Sequence, residues 1–264
     1  MLPRVFPPRD AKSVSRGLRL PPRRVFVATV LLSLVAAPET HVSTVAQGAN
    51  AAWPAAAQSA TFERRHPVSG RVFAPVMGVG GAGWLERAER EREEAPSKAI
   101  EALDVKPGMV IADIGAGSGY YTSRIAKKVA PSGRVYATDI QPGMIEILNR
   151  RVKAEGLTNV ETILGAMDDP RLPPASIDLA IMVDVYHELQ QPQLFLQRLK
   201  PAFKPGGRLV LLEFRKEDPQ VPILEVHKMS VAEVKTELEA EGFAIDRVID
   251  VLPWQHIIVL RTMK

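Results

Sequence analysis

The sequence predicts an α/β fold: a mostly parallel, seven-stranded sheet with helices on both faces and an antiparallel hairpin at its C-terminal end. Three observations carry that prediction. From Met109 onward, short apolar runs alternate with segments of helical periodicity. Turn signals such as Lys106-Pro107-Gly108 and Lys204-Pro205-Gly206-Gly207 separate them. The last two apolar runs follow one another with no helix between. Strands joined through helices make right-handed crossovers and a parallel sheet, whereas two strands joined by a short turn pair antiparallel.

Taken in order, residues 1–46 read as an address, a signal peptide or membrane-targeting segment. Arg23 and Arg24 precede the thirteen-residue apolar run Val25–Ala37. That run is short for a membrane span and suits the apolar stretch of an exported leader, with Ala46 as one cleavage point. A periplasmic or secreted location is the expectation; an uncleaved anchor and an organelle transit peptide are the alternatives. Residues 47–83 are rich in Ala, Gly and Pro without periodicity and read as a flexible linker that orders only near Arg71-Val72-Phe73-Ala74. Its Gly78–Gly83 stretch resembles a phosphate loop in composition only, because no strand leads in and no Lys-Ser/Thr follows.

The folded part is expected over residues 84–264. It opens with Trp84–Glu94, whose Glu/Arg neighbours at three- and four-residue spacing suit a solvated helix. A lid anchored by Trp84 and Leu85 is the second reading. A short helix from about Ser97 to Leu103 follows. Strands are then predicted at Met109–Asp113, Arg134–Asp139, Val160–Leu164, Ile177–Val183 and Arg208–Phe214. Helices are predicted at Tyr120–Val129, from Pro142 to about Glu155, and from about Pro192 to Phe203; Pro142 suits a first helical position. Ser230 and Glu233 form a capping box for a further helix, with Glu237, Glu239 and Glu241 as its wet face. Phe243–Val251 and His256–Thr262 close the sheet.

Charge and composition bound the function. Of 34 basic and 30 acidic residues, seven and two lie in residues 1–46, leaving 27 and 28. The net charge of +4 therefore belongs to the leader, and the folded part has no basic surplus with which to hold nucleic acid. There is no cysteine, which excludes disulfides, thiolate metal sites and thiol catalysis.

The strongest signal is the run from Val110 through Asp113, Gly115 and Gly117 to Gly119. A buried strand ends, glycines fall at every second position, and a helix starts. Such glycines let the backbone turn sharply, and the helix N-terminus offers free N–H groups. Twenty residues past Gly119, Asp139 ends the second strand, where a carboxylate can accept from both hydroxyls of a ribose. Ligands of open α/β sheets bind beyond the carboxyl ends of strands, and these groups converge there. Dinucleotide binding competes, but its GxGxxG spacing needs a glycine where Tyr120 stands.

This Asp-x-Gly-x-Gly-x-Gly spelling resembles the class I S-adenosylmethionine (SAM)-dependent methyltransferases, most nearly the quinone-biosynthesis type and generic bacterial small-molecule members. The resemblance runs from about Lys106 to the C-terminus. It takes in Asp168-Asp169-Pro170-Arg171-Leu172-Pro173 and the segment Leu199–Leu209; the family's Gly-Asp-Ala is here Gly165-Ala166-Met167. It implies a Rossmann-like sheet and SAM as cofactor. Asp113, Gly115, Gly117 and Gly119 would cradle the methionine moiety, and Asp139 with Ile140 the ribose. Met167 and Asp168 would lie beside the adenine, and Asp184 would face the methyl group and substrate. The chemistry expected is methyl transfer to a small molecule; a SAM- or nucleoside-binding module without transfer and a nicotinamide-dependent oxidoreductase are the alternatives. No nucleic-acid partner is expected, membrane contact only through the N-terminal segment, and the oligomeric state stays open.

Asp184-Val185-Tyr186-His187-Glu188-Leu189 closes the fourth strand. There His187 suits a general base near neutral pH and Tyr186 a group that orients or stacks on substrate. Equally, Tyr186 packs beneath the next helix and His187 caps it. Transfer from a sulfonium needs chiefly in-line positioning, so no dedicated base is required. Glu213–Asp218, His227 and Lys228 read as a solvated loop on the same rim, with substrate recognition as the second reading. A metal site from His187, His227 and the nearby acids is a further reading, but no HxxxH-like spacing points to it and none is expected. His256 reads as structural.

Overall fold

The structure is a computed structural model that describes residues 64–263. The leader at 1–46 and the first part of the expected linker lie outside the described residues. Five strands run parallel: β1 (Val110–Ile114), β2 (Arg134–Asp139), β3 (Val160–Leu164), β4 (Ile177–Val183) and β5 (Phe203–Arg215). The two-residue β6 (Lys228–Met229) pairs with the end of β5. β7 (Phe243–Ile249) and β8 (Gln255–Thr262) form the expected hairpin, with β8 antiparallel to β5. The order across the sheet is β3-β2-β1-β4-β5-β8-β7. The chain reverses direction of travel between β1 and β4, and a cleft opens beyond their carboxyl ends at such a switch point.

Alternation along each strand divides the core into two. Ile111, Val135, Leu179, Ile181, Val210 and Ile257 face helices α2 (Pro96–Ala102), α3 (Tyr120–Val129) and α4 (Pro142–Ala154). Ala112, Ala180, Met182, Leu209, Leu211 and Ile258 face α5 (Pro192–Leu199) and α6 (Val231–Ala240). All twelve are fully buried. Burial on both faces is why these strands read as continuous apolar runs. Truncating one such residue, Ile181→Ala for instance, costs about 2–5 kcal/mol.

Three expectations are corrected at the N-terminal side and on α6. Residues 64–83 pack onto the domain and do not run free. The Arg71 guanidinium makes a two-pronged ion pair with Glu237, at 2.9 and 3.0 Å, and also donates to the His187 carbonyl at 3.0 Å. Glu237 is accordingly fully buried and not on a wet face. Trp84–Glu94 is not one solvated helix but a 3-10 turn at Trp84–Glu86 followed by the short α1 (Arg90–Glu93). Arg90 and Glu94, an i,i+4 pair at 2.7 Å, are 3% and 0% exposed. The Arg90 guanidinium lies over the Tyr120 ring, 4.4 Å from its centre, and donates to the Leu85 carbonyl at 2.9 Å. Charge spacing alone cannot tell a solvated pair from one sealed under aromatic rings, because the sealing residues lie thirty positions away.

Candidate active site

A cavity of about 510 Å³ opens at the carboxyl ends of β1, β2 and β4. That is within the range of about 300–1,000 Å³ typical of small-molecule sites. Its walls are mostly apolar, and its polar groups gather at two places.

The first place is the glycine loop. Gly115 has φ 68°, and a Cβ there would stand 2.5 Å from Val185 Cγ2, so only glycine fits. Gly117, at φ 53°, also lines the cavity, with Leu85 of the lead-in turn against it. Gly119 does not line it. It caps α3 at φ 80°, where a Cβ would meet Leu148 Cδ1 at 2.6 Å, so its role is to bring α4 close. Asp139 accepts from the Gly117 N–H at 3.0 Å and the Gln141 N–H at 2.9 Å, and burial raises its pKa. Both carboxylate oxygens are thereby held at the cavity edge, with Ile140 beside them. Glu86 of the lead-in turn accepts from Ser118 at 2.5 Å and pairs with Arg151 of α4 at 2.7 Å, which closes the loop from outside.

Asp113 sits beneath the loop. It is 2% exposed, accepts from the Thr122 hydroxyl at 2.5 Å, and burial pushes its pKa up to about 6. It borders a small recess of about 30 Å³ behind the loop, not the main cavity. Met167 lines the cavity, whereas Asp168 pairs outside it with Arg198 at 2.5 Å.

Asp184 links the two polar places. It lies at φ 54°, the left-handed region that costs a non-glycine residue about 1–3 kcal/mol and recurs at functional sites. Gln255 donates to its Oδ2 at 2.7 Å, while its buried Oδ1 has no hydrogen-bond partner. Burial raises its pKa well above the carboxylate range, and the nearby Glu94 and Glu213 add to the rise.

The second polar place lies just beyond β4. His187, 1% exposed, forms the centre of a chain in which its Nδ1 meets Glu213 Oε2 at 2.6 Å and its Nε2 meets His227 Nδ1 at 3.1 Å. Glu213 also accepts the Tyr186 N–H at 3.0 Å. Burial lowers the His227 pKa, and His187 lowers it further. Glu188 accepts the Met77 N–H at 3.1 Å, and burial raises its pKa to about 7. Tyr186 turns away; its fully buried ring lies in the α5/α6 core under Arg71 and does not line this cavity.

Sequence reasoning had placed Glu213 and His227 in a solvated loop and had given Glu188 no role. One signal marked Glu213, a carboxylate at the end of the apolar run Leu209–Leu212, where open α/β sheets hold their ligands. Nothing local marked His227, which arrives on the turn before β6.

A family model described as a methyltransferase domain matches residues 105–256. A ubiquinone/menaquinone biosynthesis C-methyltransferase of Hydrogenovibrio crunogenus is 31% identical over 119 residues, 45% of this chain and 47% of that protein. A protein-L-isoaspartate O-methyltransferase of Pyrococcus horikoshii is 32% identical over 112 residues, 42% of this chain and 47% of that one. The chain thus spans about half the length of these curated relatives. The solved structure of a SAM-dependent methyltransferase from Aquifex aeolicus superposes with a TM-score of 0.66 at 29% identity, covering 70% of this chain and 98% of that one.

Proposed function

The chain belongs to the methyltransferase domain family, and from that premise we propose that it transfers a methyl group from SAM to a small, largely apolar acceptor. The observation that carries the reading is that the Gly115–Gly117 loop, Asp139 and Asp184 line one cavity at the carboxyl ends of β1, β2 and β4. SAM is a cation with two ribose hydroxyls, and these residues offer a complement to its hydroxyls and its positive charge. Asp139 suits the hydroxyls, and a bound cationic group favours the ionised form of Asp184 that burial otherwise disfavours. The backbone at Gly115–Gly117 leaves room for close approach, and Ile140, Met144 and Met167 supply apolar walls for a purine.

SAM brings the transferable methyl; the chain's own residues bind, orient and exclude water. The acceptor end is walled by Leu189, Phe195, Phe214, Ile223 and Leu224, which suits an apolar ring or chain and supports the small-molecule reading. Its polar groups are His187, His227 and Glu188. An acceptor hydroxyl reaching the histidine pair can pass its proton to the ring nitrogen that faces it, while Glu213 stabilises the charge that develops on His187. Tyr186 takes no part in this reading beyond donating its backbone N–H to Glu213.

Incubating the full-length chain with SAM carrying a labelled methyl, against a panel of phenols and quinols, tests the reading. Label in an extractable product is expected; SAM binding with no transfer to any acceptor favours a binding module without methyl transfer. The leader read at residues 1–46 extends the proposal to an exported enzyme. A C-terminal tag followed through cell fractionation checks that, and recovery of the full-length chain in the cytosol contradicts it.

A further inference from the structure

We propose that His187, Glu188 and His227 form a divalent metal site at the acceptor end of the cavity. One donor atom from each lies within 4.8 Å of the others. His187 Nε2 and His227 Nδ1 stand 3.1 Å apart. At metal–nitrogen distances of about 2.1 Å, that separation corresponds to an angle of roughly 100° between neighbouring ligands of one ion. Without metal the two nitrogens share one proton. The cation takes that proton's place, and His227 then carries its ring hydrogen on Nε2. Glu188 is the third ligand: its Oε1 accepts the Met77 N–H at 3.1 Å, which aims the carboxylate and leaves Oε2 for the cation.

The outer contacts set this cluster apart from a chance gathering of polar groups. Fully buried Glu213 holds His187 Nδ1 at 2.6 Å, which leaves Nε2 without a hydrogen and turned to His227 Nδ1 at 3.1 Å. A carboxylate on the far nitrogen of an imidazole ligand is the recurrent outer shell of metal-bound histidine. The His187 backbone is also pinned, its carbonyl accepting from Arg71 at 3.0 Å and from the Ala74 N–H at 3.1 Å. Two imidazoles and one carboxylate suit Zn²⁺, Co²⁺ or Fe²⁺ and leave coordination positions open toward the cavity.

An acceptor oxygen can occupy an open position. Its hydroxyl then loses its proton to water more readily, and the oxygen is held by the cation in place of a histidine base. That last step rests on the methyltransferase reading; binding of the cation does not.

The test is titration of Co²⁺ into the full-length, chelator-stripped chain, read by visible absorption. One Co²⁺ per chain with a ligand-field band is expected, and affinity lower by about tenfold or more in both His227→Gln and Glu188→Gln. His227 and Glu188 are only partly buried, so these variants spare the core, and circular dichroism checks their fold. No saturable Co²⁺ binding by the folded chain, or unchanged affinity in either variant, overturns the proposal. SAM titrated into the same samples separates the two readings. Intact SAM binding without Co²⁺ binding removes the metal site alone, and Co²⁺ binding without SAM binding removes the methyltransferase reading alone.

Discussion

The two ends of the cavity are built in different ways. The cofactor end is local: Gly115, Gly117 and Asp139 lie within one strand–helix–strand unit, and the Gly117 N–H itself holds Asp139. The acceptor end is assembled from afar. His187 and Glu188 follow β4, Glu213 lies near the end of β5, His227 precedes β6, and Arg71 and Met77, which hold His187 and Glu188, come from the N-terminal segment. A unit set by adjacent residues can keep one ligand while the distant contributions vary, which is a physical route to one cofactor and many acceptors.

If that contrast is right, damage at the two ends should separate. The largest expected effect lies outside both, in the buried Arg90–Glu94 pair that supports the loop through Tyr120 and Leu85. Arg90→Met leaves Glu94 with Arg87 alone, at 2.5 Å, and should cost about 2–3 kcal/mol in chemical denaturation. A loss under about 1 kcal/mol, the usual worth of exposed pairs, would mean that the lead-in segment is no support.

Asp113 sharpens the cofactor side. Its folded pKa of about 6 lies above the ordinary 3.8 because of burial. Its contribution to stability is therefore complete below the ordinary value and is lost as pH rises through about 6, a change of about 3 kcal/mol. Asp113→Asn removes that dependence. The wild-type chain should thus lose about 2 kcal/mol relative to the variant between about pH 4 and pH 7. Parallel stability curves would deny the buried proton.

Asp139→Ala should weaken SAM by about 100-fold, as expected for losing hydrogen bonds to a charged acceptor, and leave Co²⁺ affinity unchanged. Glu213→Gln should do the reverse: Co²⁺ affinity falls by about tenfold through a misplaced His187, with SAM affinity unmoved. If either substitution disturbs both ligands equally, the two ends are one unit and the contrast fails.

The same contrast explains what the sequence made legible. Strands buried on both faces announce themselves as apolar runs, and β4 falls at its expected residues, as do β2 and the part-exposed edge strand β3. The capping box at Ser230 and Glu233 is likewise local and present. Gly115, Gly117 and Asp139 were readable because spacing alone brings them together. Glu237 and the Arg90–Glu94 pair were misread because burial of a charge depends on a partner or cover remote in sequence. Glu213 and His227 escaped for the same reason, since their meeting at His187 requires the sheet order and the turn before β6.

The most direct test of the central claim is calorimetric titration of SAM into the full-length chain, with NAD as control and Asp139→Ala alongside. Saturable one-to-one binding of SAM, silence with NAD, and affinity lower by about 100-fold in the variant are the predicted results. A folded chain that gives no heat with SAM, or binds it equally well without the Asp139 carboxylate, would contradict the account.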